Sequence, residues 1–201
     1  MKYYRFPVLM AALLLIGCAP SRIVKIEQAN TPFERPSYTI YSPQGEGWLF
    51  LEADQPGEHT LIFGLPQKSK THTIYAKVSE IPSSANFETP QELQSFFKKI
   101  MIEVGFDPRR YKIVKEESRL ENKFGDFAVL HYSLVEDHGA VQRSDNAPYL
   151  LMETFGYYFI HPHKKNQIIN VFYSERGTPG ELDDHFKEKA MAFINGLNLK
   201  K

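Results

Sequence analysis

Two periods of hydrophobic residues organise the chain. From Tyr38 to Ser79 apolar and polar positions alternate in short runs. These are Tyr38-Thr39-Ile40-Tyr41, Gly47 to Glu52 with Trp48 and Phe50 on one side, His59 to Gly64, and Thr71 to Ser79, where Ile74, Ala76 and Val78 share a face. Alternation of this kind predicts half-buried strands, and Pro66 and Lys68 mark a turn between two of them. The period then lengthens. Leu93, Phe96, Phe97, Ile100, Met101 and Val104 recur at helical spacing behind Thr89-Pro90-Gln91-Glu92. In such a capping box the threonine hydroxyl accepts the N–H of the third helical residue, and the glutamate reaches back to the threonine N–H. Gly105 is a natural stop.

Four longer strand segments follow: Tyr111 to Leu120, Phe124 to Val135, Tyr149 to Ile160, and Gln167 to Ser174. Asn122-Lys123 and Lys164-Lys165-Asn166 are the polar turns expected between them. A second helix is predicted from Thr178-Pro179-Gly180-Glu181, with Leu182, Phe186, Ala190, Phe193 and Leu197 on its apolar face and Gly196 at its end. The shared Thr-Pro-x-Glu-Leu is read as the same cap used twice, because the residues between do not match as a repeat would. Strands, one helix, four antiparallel strands and a second helix argue an α+β class. The expected architecture is an antiparallel sheet of about six to seven strands packed with two capped helices. This order, with its Trp48 strand, resembles the Mog1/PsbP-like α/β/α sandwich, which includes small bacterial lipoproteins. The resemblance implies a non-catalytic binding or assembly module and carries over no functional residue.

The N-terminus has its own pattern. Lys2 and Arg5 precede an almost wholly apolar run from Phe6 to Ile16, and the only cysteine closes Leu15-Ile16-Gly17-Cys18. The run has the length of a signal-peptide core and is shorter than the roughly 20 residues a bilayer span needs. The segment resembles the lipobox of bacterial lipoproteins. In that family the cysteine thiol takes a diacylglyceryl group, the signal is cut before the cysteine, and the new amine is acylated with a fatty acid such as palmitate. Two or more chains give a stable anchor, at about 0.8 kcal/mol per buried methylene. The residues after Cys18 are Ala19 and Pro20, with no aspartate at the second position. By the family's sorting pattern this points to the periplasmic face of the outer membrane in a Gram-negative host. The expected organisation is a cleaved signal over residues 1–17, a lipidated Cys18 and Pro-rich tether over 18–37, and one domain over 38–201. The tether has room for a short strand around Ile23 to Ile26.

Composition narrows the partners. The chain has 24 basic and 24 acidic residues; removing Lys2 and Arg5 with the signal leaves 22 against 24. That balance gives no footprint for nucleic acid and no polybasic patch for anionic lipid, so membrane attachment falls to the lipid. With Cys18 acylated no thiol remains, and the domain is held by packing rather than disulfides. Its 15 Phe and 11 Tyr supply much of the core.

Several residues carry candidate chemistry. His161-Pro162-His163 places two imidazoles on one strand face, where they could grip a zinc or copper ion with a third ligand from Asp183, Asp184 or His185; exposed turn histidines are the simpler reading. Asp183 and Asp184 are explained by the dipole of a helix N-terminus. His131 alternates with Phe127 and Val129 and is expected as a hydrogen-bonded core histidine. Ser133 lacks a nucleophile elbow. The polar stretch Glu136 to Pro148 is long for a loop in a compact domain. Its Asp137, His138, Arg143, Asp145 and Asn146, with the adjoining Tyr149, are the candidate partner or ligand contacts. The aromatic set Tyr149, Phe155, Tyr157, Tyr158, Phe159, Phe172 and Tyr173 is too large for one face of a sheet. No cofactor is implied. The leading reading is a lipid-anchored envelope protein that binds an envelope protein partner. A carrier of a small apolar ligand comes second, and a metal protein or enzyme built on the histidine pair comes third.

Overall fold

The protein is described here by a computed structural model covering residues 23–54, 58–69, 71–83, 87, 89–100, 107–139 and 147–201. The Cys18 segment, Met101, Val104, Gly105, Arg143, Asp145 and Asn146 therefore lie outside the described residues. The chain is α+β. An eight-stranded antiparallel sheet has the order β1 (Val24–Lys25), β4 (Leu49–Glu52), β5 (His59–Leu65), β6 (Thr73–Pro82), β10 (Lys164–Gly177), β9 (Leu150–His161), β8 (Asp126–Asp137), β7 (Tyr111–Lys123). A three-stranded sheet has the order β11 (Asn198–Leu199), β3 (Tyr38–Tyr41), β2 (Pro32–Glu34). The helices are α1 (Pro90–Ile100) and α2 (Phe186–Asn195).

The strand number exceeds the expected six to seven. β1 fills the short strand expected around Ile23 to Ile26, while β2 and β11 are additional; all three have two or three residues, too few to display a period. Two of them lie in the stretch expected as a tether. Val24 pairs with Phe50, Phe33 pairs with Ile40, and Ile26 and Ser37 are buried, so the folded part begins well before Tyr38.

Pro66 and Lys68 lie in the β5–β6 turn as expected, while the turns of the two long hairpins are displaced. Lys123 pairs with Asp126, which leaves Phe124-Gly125 as a two-residue loop with φ of 58° and 84°. A type I′ turn has positive φ at both central residues, which favours glycine at the second. Phe124 tolerates this conformation with its ring stacked on Phe159 at 4.3 Å. In the next hairpin His161 pairs with Lys164, so Pro162-His163 forms the turn. Proline presets the φ such a corner requires.

The two helices start differently. At α1 the capping box is present: Thr89 Oγ1 accepts the Glu92 N–H at 3.2 Å, and Glu92 Oε2 accepts the Thr89 N–H at 3.4 Å. At α2 only half of the expected box forms, in a turn ahead of the helix, since the Glu181 N–H goes to the Thr178 carbonyl at 2.9 Å. Glu181 Oε2 accepts the Thr178 N–H at 2.8 Å and the Thr71 hydroxyl at 3.1 Å, and the helix begins only at Phe186. The Thr178 N–H, with hydroxyls from Ser69 and Thr71, holds the Glu181 carboxyl down at about 2. Nearby, the buried Glu175 takes the Asp183 N–H at 3.2 Å and His72 Nε2 at 2.5 Å. The segment before α2 is thus pinned to the β5–β6 turn.

The sheet separates two unlike layers. On one face Phe63, Ala76, Val78, Leu130, Tyr157, Phe159, Ile169 and Val171 pack under Phe186, Ala190, Phe193 and Ile194 of α2. Each such large side chain contributes about 1.5–3 kcal/mol by leaving water. On the other face α1 seats Leu93 and Phe97 on Val129, Ile168, Tyr158 and Ile160. Beyond that small cluster the face turns polar.

Candidate functional site

Strand register assembles the polar face. Ser133, Thr154, Ser174 and Tyr75 stand side by side on four neighbouring strands. Ser133 and Ser174 are buried, and the Thr154 and Ser174 hydroxyls lie 3.0 Å apart. One step along β8 is His131, opposite Gly156. A Cβ at Gly156 would come within 2.4 Å of the Val171 carbonyl oxygen and of the Phe172 Cβ, so the close approach of β10 requires glycine there. His131 is buried as expected, but its Nε2 has no hydrogen-bond partner among the described residues, and neither has Asn170 Oδ1. Burial pushes the His131 imidazole down toward its neutral form, against a weaker upward pull from Glu116.

At the edge of this face sits a buried carboxylate. Asp137, at the end of β8, takes Arg110 Nε at 2.8 Å and Arg110 Nη2 at 2.9 Å in a bidentate pair. Arg176 Nη1 approaches from β10 at 3.3 Å, and the Gly139 N–H donates at 3.1 Å. Burial alone would raise the Asp137 carboxyl, but the Arg110 hydrogen bonds and charge, the Gly139 N–H and the Arg176 charge hold it below the ordinary range. Arg110 also lies over the Tyr111 ring at 4.7 Å, and its carbonyl accepts the His138 N–H. The clasp therefore fixes both the turn leading into β7 and the first residues beyond β8. Planar, bidentate recognition of this kind is what an arginine does and a lysine does not.

The clasp brings together part of the expected contact set. His138 is exposed, with Nε2 at 3.0 Å from Glu136 Oε2, and the Tyr149 ring lies 5.5 Å from its imidazole. Glu136 and Asp137, expected in the loop, belong to β8. Asp137 is the residue that organises the site; Arg110 and Arg176 were not singled out, because only strand register brings them to it.

The histidine pair takes a different place from the one a metal site needs. His161 is wholly buried, with Nε2 donating to the Ser37 carbonyl at 2.9 Å and Nδ1 accepting the His163 N–H at 3.2 Å. Both nitrogens are occupied, and His163 is exposed at the turn. Asp183 lies against Glu175, far along β10 from this hairpin, roughly 30 Å at the rise of an extended strand. Among the described residues no three potential ligands converge. The aromatic set divides between the faces. Phe155, Tyr157, Phe159 and Tyr173 join the α2 layer, while Tyr158 stacks on Phe97 and Phe172 meets Tyr75 edge-on.

Fold and site together define a class: an antiparallel α+β domain with one apolar layer and one polar layer, the polar one edged by a charge clasp. No helix among the described residues is long and apolar enough to cross a membrane. No protein-family model matches the chain, and no curated protein matches it in sequence. Among solved structures it is similar to the solution structure of cyanobacterial PsbP (CyanoP) from Synechocystis sp. PCC 6803. The identity is 14%, the TM-score is 0.41, and the match covers 95% of this chain and 99% of that one. No site, ligand or partner is carried over from that likeness.

Proposed function

We propose that the protein is a lipid-anchored cell-envelope protein whose domain is a non-catalytic binding or assembly module. The anchor is Cys18, and the sorting residues Ala19 and Pro20 direct it to the outer membrane in a host that has one. The binding surface is the ground around His138 and Tyr149, set on the Asp137 clasp. That clasp is the observation that carries the reading: a buried carboxylate held by two arginines fixes the backbone of the exposed His138, whose imidazole meets the half-buried Tyr149 ring. Rigid support under an exposed contact surface lowers the ordering cost of binding. The partner is an envelope protein, and neither nucleic acid nor a cofactor enters.

Two experiments test the two halves. Cell fractionation of Cys18→Ser is expected to move the protein from the membrane to the soluble envelope fraction. Membrane retention with normal processing would contradict the anchor. Crosslinking and affinity capture of the native lipidated protein is expected to return one reproducible envelope protein, with much weaker capture from Arg110→Ala. Equal capture from that variant would contradict the clasp-supported surface.

A further inference from the structure

A cleft of about 370 Å³ opens on the α2 side of the molecule, within the size range of small-molecule sites. Three separate segments build its walls. Asn30 sits in a left-handed turn, φ 58°, locked by the Thr31 N–H on Ser42 Oγ at 3.0 Å and the Ser42 N–H on the Thr31 carbonyl at 2.9 Å. Gln44 is offered by a loop whose next two bends fall on Gly45 and Gly47, at φ 97° and 86°. Trp48 Nε1 fixes that loop by donating to the Gln44 carbonyl at 3.0 Å. The third wall is the end of α2, where Asn195 Oδ1 accepts Lys123 Nζ at 3.0 Å and Gly196 lies close against Tyr41.

The chemistry of the lining is narrow. Its polar side chains are Asn30, Tyr41, Ser42, Gln44 and Asn195, and every one is neutral. Tyr41, at the end of β3, lines the cleft and is 39% exposed, which makes it the aromatic residue available to a ligand there. Among the described residues no hydrogen bond occupies the side-chain amides of Asn30 and Gln44, and the Asn195 amide keeps its N–H groups unused. A carboxamide presents an acceptor and two donors in one plane, which matches the hydroxyl pairs of a sugar ring. An aromatic ring covers the ring's C–H face. No carboxylate in this lining would meet a cationic ligand, an anionic one would have to draw Lys123 Nζ away from Asn195 Oδ1 and the Phe124 and Tyr157 rings, and a wholly apolar ligand would strip water from the amides without replacing it.

We infer that this cleft is a binding site for a neutral saccharide, with Tyr41 as the stacking platform and Asn30, Gln44 and Asn195 as the hydroxyl-reading groups. The site is independent of the clasp around Asp137 and of the lipid anchor. The test is calorimetric titration of the full-length protein in detergent micelles with three probes: triacetylchitotriose, cellotriose and maltotriose. At least one is expected to bind with a Kd of about 1 mM or tighter. Tyr41→Ala and Gln44→Ala, both at exposed positions, are each expected to weaken that binding about tenfold or more with unchanged circular dichroism. No binding of any of the three at about 10 mM, or binding that survives both substitutions, would overturn the assignment.

Discussion

The two faces of the eight-stranded sheet are made from the same strands and have opposite characters. Under α2 the alternate residues Leu130, Tyr157, Ile169 and Val171 form a continuous apolar layer. Turned the other way, the same strands present His131, Ser133, Thr154, Ser174, Asn170 and Arg176. A side-chain period of two permits this division, since each strand serves both layers without compromise. Most of the large buried apolar side chains lie on the α2 face, which also buries Glu80 and Glu175, while the other face carries the unpartnered His131 Nε2 and Asn170 Oδ1.

Substitutions that break this separation should rank accordingly. Phe159→Ala, in the apolar layer and stacked under Phe124, is expected to cost about 4 kcal/mol in urea unfolding. A loss below about 1 kcal/mol would mean the α2 face is not the stabilising one. Gly156→Ala acts on the polar face but through the backbone. Its Cβ would press on the Val171 carbonyl oxygen and force β9 and β10 apart, for a loss of about 3 kcal/mol. An alanine variant as stable as wild type would show that the strands yield freely.

Asp137→Asn removes the charge of the clasp and is expected to cost about 2 kcal/mol at neutral pH. Its pH dependence is signed. The folded carboxyl is held below its unfolded value, so the stabilisation is complete above pH of about 4 and is lost as pH falls through the lower, folded value. The Asn variant should therefore show a shallower acid limb in stability against pH than wild type, and parallel limbs would remove Asp137 from the account. The smallest effect has the opposite sign. His131→Leu replaces a buried imidazole with an unpartnered Nε2 by a side chain suited to its neighbours Val129 and Tyr158. A gain of about 1 kcal/mol is expected, and a loss would mean that the imidazole contributes to stability.

How much of this was legible in the sequence follows from the range of the forces involved. The α1 cap was readable because Thr89 and Glu92 satisfy each other within one turn. The identical motif before α2 misplaced that helix's start, because Glu181 is also held by Thr71, 110 residues away. The long strands β7 to β10 and the short β1 were visible in the sequence, whereas β2 and β11 draw their stability from strands already in place. The β5–β6 turn was legible at Pro66 and Lys68, but the turns of the two long hairpins were placed on polar residues, while Phe124-Gly125 and Pro162-His163 are selected by backbone dihedrals. At the candidate site, His138 and Tyr149 were readable as loop and loop-edge polar or aromatic residues. The Arg110–Asp137–Arg176 clasp was not, since it exists only once β8 and β10 are in register and the turn before β7 folds back beside them.

The central claim, a partner surface supported by the clasp, is tested most directly by photocrosslinking in cells. A photoreactive amino acid is placed at His138 or Tyr149 in the lipidated protein, with the exposed Glu188 on α2 as the control position. The account predicts one dominant protein adduct from His138 and Tyr149, absent from Glu188 and greatly reduced when Arg110→Ala is added. Adducts of equal pattern from all three positions, or an undiminished adduct in the Arg110→Ala background, would contradict it.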